Sequence, residues 1–125
     1  MNPITSEWIG KAEADFATAR RESLATDTPN YDAVCFHAQQ CAEKYLKAFL
    51  QANIPFPKTH DLADLLNLTL SIEPTWTSMT ADLNTLSAFA VEYRYPGESA
   101  DQDEAQEAFE KCQSIRQVIR QSLHL

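Results

Sequence analysis

The stretch YDAVCFHAQQCAEKYLKAFL, from Tyr31 to Leu50, limits the fold more than any other part of the chain. It holds neither glycine nor proline, and Val34, Ala38, Cys41, Ala42, Tyr45, Leu46 and Phe49 recur at steps of three and four residues. That period belongs to an amphipathic helix with one apolar side. The spacing predicts the central helix of a bundle. At about 100° per residue, His37, Gln40, Lys44, Lys47 and Gln51 fall in a sector of roughly 80° facing away from the apolar side.

A chain of 125 residues buries roughly two thirds of its unfolded surface, enough to fold as one domain, residues 1–125, without metal or disulfide. The three cysteines are odd in number, and Cys35 and Cys41 lie too far apart on one predicted helix to bridge. With no apolar run of membrane-spanning length and no hydrophobic signal segment at Met1 to Glu7, the expectation is a soluble, cytoplasmic protein that does not enter membranes. A formal charge of −8 argues against broad, charge-driven binding to nucleic acid and leaves only local phosphate contacts.

Further helices flank the central one. Ser6 is a fitting N-cap for a helix through about Ala25 that buries Trp8, Ala12, Phe16, Ala19 and Leu24. The TDTPN segment, Thr26 to Asn30, ends it, and Pro55-Phe56-Pro57 forces extended backbone after the central helix. Thr59 or His60 can open a short helix burying Leu62, Leu65, Leu66 and Leu70, with Asp61 near its positive end. From about Ser78 to Tyr93, Met79, Leu83, Leu86, Ala90 and Tyr93 form a helical stripe, which Tyr95-Pro96-Gly97 stops. The last segment, from Ser99 or Asp101 to Leu123, carries acids at its start and Arg116 and Arg120 at its end, matching a helix dipole. Ala105, Ala108, Phe109, Cys112, Ile115, Val118 and Ile119 supply its inward side. No strand pattern competes, so the expected fold is all-α: an antiparallel bundle of four main helices plus a short additional one.

Three segments in this order, FHAQQCAEKYLKAFL (Phe36 to Leu50), KTHDLADLL (Lys58 to Leu66) and EYRYPG (Glu92 to Gly97), resemble the HEPN domain family over nearly the whole chain. The resemblance implies a helical bundle that is usually a homodimer, in a prokaryotic setting where such proteins are commonly encoded beside a minimal nucleotidyltransferase, often as a toxin–antitoxin pair. It also implies metal-independent RNA cleavage, carried in the family by an arginine followed, after four to six residues, by a histidine. Arg94 stands at the arginine position, but Tyr95 to Ala100 holds no histidine and the next one is His124. The expected proton-transfer group is missing at its usual place, and His60 and His37 are the histidines left to replace it from other helices.

The candidate phosphate-binding residues are Arg94, Lys44, Lys47, His37, Gln40 and His60; were the protein a ribonuclease, Arg94, His60 and His37 would carry the chemistry. Each has a plainer reading. The His37–Gln40–Lys44–Lys47 stripe fits a solvated helix side, with Glu43 pairing Lys47 four residues on. Arg94 fits a cation at the negative end of its helix, and His60 a fastener of the loop before the short helix. No Cys-x-x-Cys, His-Glu-x-x-His, glycine-rich phosphate loop or Gly-x-Ser-x-Gly elbow occurs, so neither a metal nor another cofactor is expected. Three functions stay open on the sequence: a nucleotide- or RNA-phosphate-binding partner of a minimal nucleotidyltransferase, a divergent ribonuclease toxin, and a structural oligomer.

Overall fold

The computed structural model describes all residues from Met1 to Leu125. Five α-helices follow one another: α1 (Pro3–Leu24), α2 (Tyr31–Asn53), α3 (Leu62–Thr69), α4 (Thr80–Glu92) and α5 (Gln102–Ser122), with a 3₁₀ turn, Pro74–Met79, leading into α4. The fold is all-α, with four long helices and one short helix. None of them is long and apolar enough to cross a membrane.

Capping chemistry sets the boundaries. Asn2, not Ser6, caps α1: its side chain accepts from the Ile4 and Thr5 amides, and Pro3 at the first position has no amide to leave unsatisfied. Asn30 caps α2 by accepting from Ala33. Asp61, rather than Thr59 or His60, caps α3 through the Asp64 amide. Asp101 and Glu104 form a reciprocal capping box at the start of α5. Gly97, at φ +93, turns the chain after α4 in a region that favours glycine.

Helix α2 packs against α1, α3, α4 and α5. Contacts at two levels set the directions: Glu13–Tyr45 with Asp15–His37 make α1 antiparallel to α2, Asp82–Lys111 with Tyr93–Glu104 make α4 antiparallel to α5, and Glu13–Arg116 with Phe16–Phe109 make α1 antiparallel to α5. Helices α2 and α5 run the same way, tied at one end by the Ala100 amide donating to Asp32 and further along by Arg120 donating to the Tyr45 hydroxyl. They form the close diagonal of the bundle, with α1 and α4 to either side.

Thirteen residues of α2 are buried, and nine of them, among them Ala38, Tyr45, Leu46 and Leu50, join one core cluster with Leu62, Leu65, Leu83, Leu86, Ile115 and Ile119. Two residues expected inside lie at the surface. Leu24 is 69 % exposed, because at about 100° per residue the stripe through Ala12 and Ala19 continues to position 23 and not 24. Val118 is also exposed, since Ile115 and Ile119 already fill the inward side of that turn. Cys35, Cys41 and Cys112 are buried free thiols, and burial with nearby acids pushes Cys35 up to about 12. They behave as small apolar residues and not as nucleophiles.

Candidate functional site

The polar side of α2 is not bathed in solvent. Asp15 of α1, itself buried, reaches it and accepts from Lys44 Nζ at 2.5 Å while lying 2.8 Å from His37 Nδ1. One turn further on, Lys47 is buried, pairs with the buried Glu43 carboxylate at 3.2 Å, and sits over the Trp8 ring at 5.2 Å. Two lysines that look like a free cationic strip in sequence are thus each matched by a carboxylate inside the protein. A burial of this kind keeps the charges paired instead of offering them to a ligand.

His60 projects from the loop before α3 and is 84 % exposed at its side chain, yet its Nδ1 lies 3.1 Å from Glu43 and 3.2 Å from Lys47 Nζ. It fastens that loop to α2. With Nδ1 committed inward, Nε2 is the ring nitrogen left for another partner.

Arg94 follows the last turn of α4, where its amide donates to the Val91 carbonyl. Its side chain belongs to none of the ion pairs in the molecule. It borders two neighbouring cavities along the α2–α4 groove. One, of about 370 Å³, is lined by Gln39, Gln40, Glu43, His60, Asp61, Ser87 and Arg94 among others. The second, of about 350 Å³, places Arg94 with Asp32, Phe36, His37, Phe89 and Tyr93. Of the residues picked out in sequence, the structure brings Arg94, His60 and Gln40 to the first cavity and Arg94 and His37 to the second. Lys44 and Lys47 line neither.

Tyr93, beside the second cavity, bonds the Glu104 carboxylate, and burial together with that carboxylate pushes its hydroxyl well above the usual tyrosine range. It links α4 to α5 as a neutral packing residue. Gln40 donates to Gln39 Oε1 at 2.8 Å, which aligns two amides along the rim.

Sequence reasoning missed Asp15, Gln39, Asp61 and Ser87 as neighbours of the site. For Asp15 a signal existed: it stands between Ala12 and Ala19 on the apolar stripe of α1, and an acid in that position needs a buried partner. Nothing in the spacing of Ser87 marks it out, because its place depends on how α4 crosses α2. No group of three or more His, Cys, Asp or Glu side chains is arranged to hold a metal ion.

Fold and groove together define a helical-bundle protein with an unpaired arginine bordering its α2–α4 face. The chain belongs to the HEPN domain family, whose family model matches residues 5–122. The crystal structure of an archaeal HEPN homologue is similar to it, with a TM-score of 0.68 and 24 % sequence identity over 94 % of this chain and 96 % of that one. No curated protein matched the sequence.

Proposed function

We propose that this HEPN protein binds the phosphate of a nucleotide or RNA in the α2–α4 groove, with Arg94 as the anchoring cation. The observation that carries this reading is the unpaired guanidinium of Arg94 on the border of two cavities, the one it shares with His60 lined mostly by polar residues. A guanidinium offers paired N–H donors that match phosphate oxygens, and a concave site lets it do so partly out of water. His60 Nε2, the Gln40 amide and the Ser87 hydroxyl supply further hydrogen-bonding groups around it. Lys44 and Lys47 contribute indirectly, by holding Asp15 and Glu43 in ion pairs so that these carboxylates do not repel the ligand.

The reading extends to a homodimer and to partnership with a minimal nucleotidyltransferase in a toxin–antitoxin-like module. Family membership supports both. A neighbouring reading frame with a Gly-Ser and paired Asp motif, whose product co-purifies with this chain, is expected; a product that does not bind it removes the partnership.

One observation favours a second reading, a ribonuclease. Asp15 lies 2.8 Å from His37 Nδ1, the arrangement that fixes an imidazole tautomer and leaves Nε2 for proton transfer, and His37 shares a cavity with Arg94. Titrating purified protein with labelled nucleotides and short RNAs, while following RNA length on gels, tests both. Arg94→Ala is expected to weaken binding about tenfold or more, and Lys44→Ala, which acts only through Asp15, to weaken it by less. Intact RNA at the end of the assay eliminates the ribonuclease, and cleavage that survives both His37→Ala and His60→Ala eliminates these histidines as its proton carriers. Equal affinity of wild type and Arg94→Ala eliminates the groove as the phosphate site.

A further inference from the structure

The outer groove between α1 and α5, on the side of the bundle away from Arg94, gathers most of the arginine in this acidic protein. Arg20, Arg21 and Arg116 border one cavity of about 480 Å³ together with Glu13, Phe16 and Leu24. Arg120 stands next to it, donating to Glu13 at 2.7 Å. Four guanidiniums therefore face one carboxylate, an excess of three positive charges within a chain whose formal total is −8.

The groove is ordered before any ligand arrives. Arg116 donates through Nε and Nη2 to Glu13, its guanidinium carbon lies 4.3 Å from the Phe16 ring centre, and Phe16 is stacked at 5.4 Å on Phe109. That leaves the Nη1 edge of Arg116 uncommitted. Arg20 and Arg21 make no ion pair, and the adjacent acid Glu22 is engaged elsewhere, accepting from the Asn30 amide at 3.2 Å. The negative end of α1 favours cations at this position, and that would account for Arg21 alone. It does not account for arginines of two helices converging on one hollow. The dipole, about half a unit charge, also falls well short of cancelling the local excess.

We propose that this α1–α5 groove is a second anion site, specific for phosphate groups, in which Arg20 and Arg21 close on a phosphate against the fixed edge of Arg116. Phosphate fits better than a single carboxylate because its several charged oxygens can meet three guanidinium forks at once. Free nucleotide and RNA strand present the same group, and the two are separated by the probes. The site does not depend on the Arg94 reading.

Pyrophosphate, ATP and a fluorescent hexa-adenylate are titrated at low salt into wild type, Arg20→Ala/Arg21→Ala, Arg20→Lys/Arg21→Lys and Arg94→Ala. Both arginines are exposed, so the variants are expected to keep the wild-type circular dichroism. The double alanine variant is expected to lose about tenfold or more in pyrophosphate affinity, with the lysine pair restoring only part, since lysine supplies charge without the fork. Arg94→Ala, which removes any contribution of the α2–α4 groove, is expected to leave in place the pyrophosphate binding that depends on Arg20 and Arg21. A further gain for hexa-adenylate with a steeper salt dependence identifies a strand, and equal binding of ATP and hexa-adenylate a nucleotide. Mass spectrometry of wild type treated with phenylglyoxal is expected to show Arg20 and Arg21 protected by pyrophosphate, a readout that needs no variant. Undiminished binding by the double alanine variant, absence of protection at both arginines, or displacement by polyglutamate as readily as by pyrophosphate overturns the proposal.

Discussion

Glu13 accepts hydrogen bonds from side chains on two other helices: the Tyr45 hydroxyl at 2.5 Å, Arg116 at 2.8 Å and Arg120 at 2.7 Å. Burial alone would raise its carboxyl, but the bonds from Arg116 and Tyr45 and the charges of both arginines outweigh this and hold it below the usual glutamate range. A depressed folded value means that the unfolded chain takes up the proton first. Glu13 therefore stabilises the fold above about pH 4.3, its ordinary unfolded value, and that contribution is lost as pH falls through the lower folded value. Glu13→Gln is expected to cost about 1–2 kcal/mol at pH 7, at the modest end for a charged hydrogen bond because the cluster is partly solvated. It is also expected to flatten the acid limb of a urea-denaturation pH profile. An acid limb as steep in the variant as in wild type removes the assignment. Burial and the Glu13 bond push Tyr45 up to about 12, so the network keeps a neutral phenol throughout that range.

At the scale of single elements, capping decides where helices begin. Helix α5 starts at a box in which Asp101 accepts from the Glu104 amide at 2.7 Å and Glu104 accepts from the Asp101 amide at 3.1 Å. The preceding Ala100 amide is held at 2.7 Å by Asp32 of α2, so the same turn also docks α5 onto the central helix. Asp101→Ala is expected to cost about 1 kcal/mol, read as a lower urea midpoint with an unchanged slope. A midpoint equal to wild type would mean that the Asp32 bond alone positions this end. The existence and order of the helices were legible in their apolar periods, whereas their ends depended on which of several competing side chains reached a free amide. Asn2 displaced Ser6 at α1 in this way, and Asp61 displaced Thr59 and His60 at α3.

Across the whole molecule, the face bearing Arg94 also exposes Phe36, Val91 and Tyr95, the last at 63 %. Such residues flanking a groove are suited to contact with a second copy, which the proposed homodimer would bury. Sedimentation at micromolar concentration is expected to give twice the 14.1 kDa of one chain, and Val91→Asp with Tyr95→Arg to return the monomer. A monomeric wild type removes the dimer. The apolar periodicity of the helical segments by itself determined the all-α architecture and most of the core, because a side chain's angle around its own helix is a local property. It did not determine the charge of the polar stripe. Asp15 meets Lys44 and His37, and Arg20 shares a cavity with Arg116, only because α1 lies against α2 and α5 in one register. Packing chose which charges were neutralised and which were gathered, since an ion pair depends on distance through space, and sequence separation says nothing of that distance once helices are laid side by side.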